Sequence, residues 1–237
     1  MAGTFVSFEG IDACGTSTQV ELVAAALAEK GVHVVRLREP GGTAISEKIR
    51  ALLLDPHNME MRPQAELLLY EASRAQLVSQ VIRPALEADA VVLCDRFFDS
   101  TFAYQAGARG IDEETVRKAN ELGSCGCVPD VTVVFDLDPS VAWGRATRGG
   151  ADRLEAEGLA FQERVRAGYH RAADLEPERI IMVDADGMIE EVFGRACEAL
   201  APALPQLENL DVRAFMDRQA DVERAMADIA QGLGEDN

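Results

Sequence analysis

The sequence predicts an α/β fold in which a parallel sheet carries helices on both faces. Its 237 residues suit one such domain, and 48% of them are apolar, which is enough for a full core. Five short β-branched runs are apolar without alternation, as is typical of parallel strands that are buried on both faces. Helical patterns separate these runs, and an alternation of strand and helix favours parallel pairing.

The predicted elements follow one another regularly along the chain. The strands are Thr4–Glu9, Val32–Leu37, Ala90–Asp95, Val131–Leu137 and Arg179–Asp184. The first helix begins at Thr18 and stops at Lys30 and Gly31, because glycine is a common helix terminator. The other helices are Ala44–Leu54, Gln64–Leu86, Glu113–Leu122, Ser140–Thr147, Ala160–Ala173 and Ile189–Leu200.

A proline-containing segment marks the end of the sheet domain. Pro202 and Pro205 interrupt regular structure there. The residues that follow are rich in Asp and Glu and carry apolar residues at helical spacing. We therefore expect one domain over residues 1–203 and an acidic, helical C-terminal extension over residues 204–237, packed on the body or on a partner.

The charge of the chain excludes several classes of partner. Lys and Arg number 23 and Asp and Glu 41, so the net charge is −18. Such a chain should be repelled by nucleic acids and anionic membranes, so we expect it to bind neither. No apolar run approaches the roughly 20 residues of a transmembrane helix. The odd count of five cysteines favours a reducing cytoplasm over a disulfide scaffold.

A glycine loop joins the first strand to the first helix. Its glycines, Gly10 and Gly15, allow successive backbone N–H groups to curl round a phosphate, and the helix N-terminus adds donors. Ser17 can place its hydroxyl on Mg²⁺, but Thr16 stands where such loops carry a lysine. The predicted ATP-phosphate site comprises Gly10, Ile11, Asp12, Ala13, Cys14, Gly15, Thr16, Ser17 and Thr18.

The cysteines suggest little metal chemistry. Cys14 lies next to a predicted helix N-terminus, which lowers thiol pKa values, so we expect it to react quickly with alkylating agents. Cys125 and Cys127 have the spacing of half a zinc site, but no further cysteine or histidine pair completes it. A zinc centre is therefore not predicted.

Several strings resemble the thymidylate kinase family in order and spacing, over about residues 4 to 200. They are Gly10–Thr18, Arg38-Glu39-Pro40-Gly41-Gly42-Thr43, Arg74-Ala75-Gln76, Asp95-Arg96 with Ser100 and Ala103-Tyr104-Gln105, and Asp152-Arg153-Leu154-Glu155. The resemblance implies a five-stranded parallel sheet with a short lid at about residues 145–158. It also implies transfer of the ATP γ-phosphoryl group to dTMP, a Mg²⁺ cofactor, and a homodimer formed through apolar helix faces near Gln64–Leu86.

The same resemblance implies roles for the groups that handle phosphate. Asp12 would hold the deoxyribose 3′-hydroxyl, and Arg96 would bridge the donor and acceptor phosphates. Asp95 would contact the metal through water, beside Ser17. The lid arginines Arg148 and Arg153 would reach the transferring phosphoryl group, and we expect them to compensate for Thr16.

The resemblance also implies a dTMP site. Arg38 would approach the dTMP phosphate as a guanidinium fork. Tyr70 and Arg74 share one helix face, which would place the ring on thymine and the arginine at its edge. Thr101 would bond the base, and Tyr104 would fill the space of a ribose 2′-hydroxyl. The expected set is Asp12, Arg38, Glu39, Tyr70, Arg74, Arg96, Thr101, Tyr104 and Gln105.

Two alternatives stay open on the sequence. The first is a kinase that takes another nucleoside monophosphate. The second is a nucleotide-binding protein with weak or no turnover, which Thr16 favours and the acceptor and lid motifs oppose.

Overall fold

The computed structural model describes residues 3–146, 153–154 and 157–234. Within these residues, five parallel strands form a sheet in the order β2-β3-β1-β4-β5. The strands are β1 (Phe5–Gly10), β2 (Val34–Arg38), β3 (Val91–Asp95), β4 (Val131–Asp136) and β5 (Ile180–Asp184). The predicted fold class is confirmed.

The helices surround this sheet, and two of them continue into wider π-helical turns. They are α1 (Thr16–Glu29), α2 (Ala44–Leu54), α3 (Pro63–Leu77), α4 (Arg83–Glu87), α5 (Phe98–Thr101), α6 (Glu113–Gly123), α7 (Pro139–Ala146), α8 (Leu159–Leu175), α9 (Ile189–Leu200) and α10 (Val212–Gly234). The π-helical turns are Val78–Ile82 after α3 and Phe102–Ala108 after α5. Among the described helices, none has the length and apolar content needed to cross a membrane.

Two helical segments differ from the sequence prediction. The predicted helix Gln64–Leu86 is divided by the π-helical turn Val78–Ile82, because Pro84 has no N–H to offer the carbonyl four residues earlier. The helical segment Phe98–Ala108 was not predicted. Its turn at Phe102–Ala108 buries five consecutive residues, including Gln105, so it lacks the periodic polar face by which a helix is recognised.

The sheet separates two apolar cores. Strand β1 places Val6 and Phe8 in the larger core and Phe5 in the smaller one. Strand β3 divides Leu93 and Val92 between the cores in the same way. Strands β1 and β3 are therefore buried on both faces, which is why their sequences show no alternation.

The strand order brings three loops to one place. The chain continues from β3 on one side of β1 to β4 on the other, and open α/β sheets bind ligands at the carboxyl ends of the strands around such a point. Asp95 at the end of β3 lies opposite Phe8 of β1 and Arg38 of β2. The loops that follow these three strands therefore share one edge of the sheet.

The last helix, α10, packs its first turns on the body of the domain. Phe215 is fully buried in the larger core, where its ring lies 5.1 Å from that of Phe193 on α9. Leu204 and Leu207, which precede α10, belong to the same core. The boundary at residue 203 stays a prediction, and these contacts tie the segment after it to the core.

We expect Phe215→Ala to lower the free energy of unfolding by about 3–5 kcal/mol, because it leaves a cavity beside Phe193. Urea denaturation measures this loss. Val222→Ala on the same helix is the matched control, since Val222 is 52% exposed, and its change should stay within about 0.5 kcal/mol. Equal effects of the two substitutions would contradict the packing role.

Candidate active site

The glycine loop adopts backbone angles that favour glycine. Gly10 and Gly15 have φ values of 154° and 102°, and Ala13 between them has a φ of 61°. Gly15 directly precedes α1, so the first N–H groups of that helix face the loop. The loop therefore offers backbone donors to an anion at the helix N-terminus, as the sequence predicts.

A cavity opens beside this loop, and we call it the phosphate cavity. Its lining comes from the loop, the start of α1, the ends of β2 and β3, and α2: Ala13, Gly15, Thr16, Ser17, Thr18, Arg38, Glu39, Arg50, Asp95 and Arg96. Thr16 brings no charge to it, but three arginines do. Arg50 of α2 was not predicted, and one of its guanidinium nitrogens donates to the Pro40 carbonyl at 3.0 Å.

Ser17 and Asp95 lie together, as expected of a metal site. The Ser17 hydroxyl donates to Asp95 Oδ2 at 2.5 Å, and both residues line the phosphate cavity. Asp95 Oδ1 is buried and has no hydrogen-bond partner. A hydroxyl and a carboxylate with an unused oxygen are ligands that suit Mg²⁺, so these two residues fit the expected cofactor.

A second cavity adjoins the first, and we call it the acceptor cavity. Its lining is Glu39, Pro40, Arg50, Leu54, Tyr70, Arg74, Arg96, Phe97, Ser100, Thr101, Tyr104, Gln105 and Leu154. Seven of the nine expected dTMP-site residues are in this set, and Asp12 and Arg38 are not. Arg38 lines the phosphate cavity instead, where one of its guanidinium nitrogens donates to both carboxylate oxygens of Glu47 at 3.1–3.2 Å.

Arg96 stands where the two cavities meet. Its backbone has a φ of 72°, which is uncommon for a residue other than glycine and is concentrated at functional sites. One guanidinium nitrogen donates to the Gly10 carbonyl at 2.7 Å, and the other donates to Asp12 at 2.8 Å. The rest of the guanidinium lies over the Tyr104 ring. These contacts fix the arginine at the end of β3.

Asp12 is tied to the groups around it. Besides Arg96, the Tyr104 hydroxyl donates to Asp12 Oδ1 at 2.8 Å, and the Gln162 amide donates to Oδ2 at 2.6 Å. Asp12 therefore connects the glycine loop to Tyr104 in the wall of the acceptor cavity and to α8. Gln162 has no distinguishing signal in the sequence, because it lies within an ordinary helical pattern.

Arg74 is a buried ion-pair partner at the wall of the acceptor cavity. Its side chain is 1% exposed and bonds Glu39 at 2.8–2.9 Å, Glu71 at 2.7 Å and the Thr101 hydroxyl at 2.9 Å. Arg74 therefore holds Glu39 and Thr101 in place. Its expected contact with the thymine edge stays a prediction. Burial raises the pKa of Glu39 to about 7, against the attraction of Arg74.

Gln105 belongs to a buried cluster centred on Glu66 of α3. The Glu66 carboxylate accepts from the Gln105 amide at 2.8 Å and from Arg109 at 3.1 Å, and it pairs with Arg153 at 2.5 Å. Burial raises the pKa of Glu66, but the hydrogen bonds from Arg109 and Gln105 outweigh it and hold the pKa below its usual value. Glu66 has no distinguishing signal in the sequence.

The same cluster includes Arg153. Its side chain is 3% exposed, and it donates to the Leu53 carbonyl at 2.7 Å while pairing with Glu66. Arg153 therefore supports the acceptor-cavity side of the site, and the phosphate-cavity lining does not include it. Its expected contact with the transferring phosphoryl group stays a prediction. Arg148 lies outside the described residues, as does most of the expected lid.

Cys14 also differs from its expectation. The thiol is buried, and burial raises its pKa to about 11, so the helix N-terminus does not produce a reactive thiolate. Cys14 packs in the larger core, with its sulfur close to the Gly10 Cα. Its place in the loop is structural.

Comparisons with known proteins point to one family. A family model described as thymidylate kinase matches residues 8–195. A thymidylate kinase from Exiguobacterium sp. is 48% identical over 191 residues, which cover 80% of this chain and 90% of the relative. Thymidylate kinases from Desulfosudis oleivorans and Pseudomonas putida are each 46% identical, over 83% and 86% of this chain and 95% and 97% of the relatives.

Proposed function

The chain belongs to the thymidylate kinase family, and we propose that it transfers the ATP γ-phosphoryl group to dTMP between the two cavities that meet at Arg96. The single observation that carries the proposal is that the phosphate cavity and the acceptor cavity share Glu39, Arg50 and Arg96. A donor phosphate in one cavity and an acceptor phosphate in the other would lie on either side of two guanidinium groups. A binding protein without turnover is not favoured, because the relatives are kinases.

The reaction needs positioning and neutralisation of charge more than covalent chemistry from the protein. A dTMP phosphate oxygen attacks the γ-phosphorus in line, and ADP leaves. No general base is required, since a nucleotide phosphate is largely ionised at neutral pH. In this proposal the glycine loop, with Ser17 and Thr18, holds the donor phosphates, while Arg50 and Arg96 neutralise the charge between donor and acceptor.

The proposal includes Mg²⁺ held by Ser17, with Asp95 beside it. Mg²⁺ would supply positive charge to the β- and γ-phosphates of ATP. Support comes from the Ser17–Asp95 hydrogen bond and the unused, buried Asp95 Oδ1. Arg38 and the N-terminus of α1 add to the positive potential of the same cavity.

For the nucleoside, we propose that thymine lies against Tyr70 and is read by Thr101 and Gln105, all of which line the acceptor cavity. Asp12 and Tyr104 would meet the sugar. Tyr104 is buried and bonded to Asp12 at 2.8 Å. This fixed ring supports the proposal that Tyr104 fills the space of a ribose 2′-hydroxyl.

A coupled ADP-release assay tests this proposal. We expect turnover with dTMP, ATP and Mg²⁺, a strong preference over dUMP, and a strong preference over the ribonucleotide counterpart of dTMP. Tyr104→Ala should narrow the deoxy-to-ribo gap, because it removes the ring that crowds the 2′ position. Equal kcat/KM for the deoxy and ribo forms would overturn the role of Tyr104, and no turnover with dTMP would overturn the proposed function.

We also propose a homodimer in the cytoplasm that binds neither nucleic acid nor membranes, in keeping with the net charge of −18. The dimer surface would include Leu68 on α3, which is 65% exposed, and Leu122 on α6, which is 79% exposed. These helices pack side by side, so the two leucines belong to one region of the surface. All five cysteines are free thiols, as a reducing compartment requires.

Sedimentation equilibrium at micromolar concentration should give twice the 25.6 kDa of one chain. Leu68→Glu should shift the mass toward one chain, because it would bury a carboxylate in the interface. Leu52→Glu on α2 is the matched control at a residue of similar exposure, 52%. A wild-type mass near one chain would count against the dimer.

A further inference from the structure

Glu9, the last residue before Gly10, is a buried carboxylate with four hydrogen-bond donors around it. It is fully buried at the end of β1. Its Oε1 accepts from the Ser7 hydroxyl and from the Phe97 backbone N–H, both at 2.6 Å. Its Oε2 accepts from the Ser100 hydroxyl at 2.5 Å and from the Tyr169 hydroxyl at 3.2 Å. An interior carboxylate with so many donors has a defined structural task.

Three of these four donors also surround Arg96. The Phe97 N–H belongs to the peptide that follows Arg96, at the point where the Arg96 backbone takes its φ of 72°. The Ser100 and Tyr169 hydroxyls lie 2.7 Å from each other and accept from the same Arg96 nitrogen, at 3.4 and 3.3 Å. Glu9 is thus connected to the Arg96 guanidinium through the Ser100 and Tyr169 hydroxyls. It also bonds directly to the peptide N–H that follows Arg96.

The direction of these hydrogen bonds depends on the ionised carboxylate. An ionised carboxylate only accepts, so the Ser100 hydroxyl donates to Glu9 at 2.5 Å, and the Tyr169 hydroxyl donates its single proton to Glu9 or to Ser100. The lone pairs of both hydroxyl oxygens then face Arg96, which only donates. A neutral glutamine in place of Glu9 would carry an NH2 donor on one side of its amide. This donor would turn one hydroxyl so that the hydroxyl proton points at the guanidinium, which repels it.

We propose that Glu9 is a positioning residue for phosphoryl transfer, which orients the Ser100 and Tyr169 hydroxyls and the Phe97 peptide and thereby aims the Arg96 guanidinium at the phosphates. The inference rests on the proposed role of Arg96. Glu9 lines neither cavity, so it acts through Arg96 and touches no substrate.

The charge on Glu9 has a cost in folding. Burial raises its pKa to about 7; Asp99 adds to this rise, and the hydroxyls and Arg96 oppose it. Because the folded-state pKa is raised, the ionised carboxylate makes folding less favourable above pH 7, and the protein gains stability as pH falls from there. If Glu9 served packing alone, its charge would not be needed. A neutral substitute at this position therefore distinguishes an effect on stability from an effect on the position of Arg96.

The test compares Glu9→Gln with the full-length wild type at pH 8. We expect kcat for dTMP to fall by about 10²-fold, the size of effect that a misplaced catalytic group produces. The melting temperature should stay within about 2 °C of the wild type or rise, because the buried charge is gone. A loss of kcat below about threefold would overturn the proposal, while absence of wild-type turnover would refute the proposed function instead.

A double-mutant cycle with Arg96→Lys makes the test specific. If Glu9 acts through the guanidinium, Glu9→Gln should cost less than about threefold in the Arg96→Lys background. An undiminished loss there would overturn the proposal. Should Glu9→Gln fail to fold, Tyr169→Phe replaces it in the same cycle with the same expected and contrary outcomes.

Asp99→Asn is the matched control, since it neutralises another buried carboxylate. Asp99 pairs with Arg179 at 2.7 Å and accepts from Thr132, and it lines neither cavity. Breaking a buried pair should lower the melting temperature and leave kcat within about threefold of the wild type. This is the reverse of the pattern expected for Glu9→Gln.

Discussion

Arg96→Ala should lower kcat/KM for dTMP by about 10³-fold or more, since an arginine that acts on the transferring phosphoryl group contributes about 10³–10⁵. Arg96 lines both cavities, and its guanidinium is fixed by Asp12 and the Gly10 carbonyl. The substitution removes the charge that both phosphates would approach. It also removes the ion pair of Arg96 with Asp12 at 2.8 Å, so sugar binding should weaken as well.

The measurement is a steady-state titration of dTMP in the coupled assay. Arg96→Lys should recover only part of the loss, because an ammonium group cannot reproduce the fork that bonds Gly10 and Asp12. Arg171→Ala on α8 is the control, since its side chain is 53% exposed and lines neither cavity. A loss below about tenfold for Arg96→Ala would remove Arg96 from the phosphoryl-transfer machinery.

Thr16→Lys should raise kcat by up to ~10²-fold, because one preorganised donor at a developing charge contributes about 10²–10³. Thr16 lines the phosphate cavity at the start of α1, and its hydroxyl is neutral. A lysine there would add a full charge against the β- and γ-phosphates. The ratio of kcat between Thr16→Lys and the wild type then shows how far other cationic side chains already supply that charge in the wild type.

The sequence alone favours the lid arginines for this task, but the structure favours Arg50. Arg153 is held by Glu66 at 2.5 Å in a buried cluster, whereas Arg50 lines both cavities. We therefore expect Arg50→Ala to cost about 10²-fold in the wild type and much less in the Thr16→Lys background. Arg153→Ala should cost the same in both backgrounds.

The outcomes of this cycle are distinct. Equal losses for Arg50→Ala in both backgrounds would contradict compensation by Arg50. A loss for Arg148→Ala that vanishes with Thr16→Lys would assign compensation to Arg148. If the wild type is inactive and Thr16→Lys restores turnover, the binding-only alternative is correct.

Local sequence was enough to predict the sheet and the glycine loop. The central strands β1, β3 and β4 are mostly buried, so their apolar runs indicate a parallel sheet without any knowledge of their neighbours. Gly10 and Gly15 were recognisable because their positive φ values exclude most other residues. Asp95 and Arg96 were predicted from their place in a string that resembles thymidylate kinases, and they follow a buried strand at the edge where ligands bind in such sheets.

Predictions that depended on the surroundings of one side chain were less successful. Cys14 lies next to a helix N-terminus, but its thiol pKa is raised by burial among residues distant in sequence. Arg153 belongs to a motif for phosphate, but Glu66, 87 positions before it, takes its charge. A pKa and an ion pair depend on burial and on partners, and spacing along the chain reveals neither.

By itself the sequence determined the fold class, the phosphate loop and the edge of the sheet at which chemistry occurs, because strand periodicity and glycine conformation are local properties. Only the tertiary structure decided which charged groups face each other there. Glu9 looks like an ordinary strand residue, and Arg50 like an ordinary helix residue, until β1, α2, β3 and α8 are brought together. Electrostatic roles are set by contacts across the fold, and those contacts exist only once the strands and helices have packed.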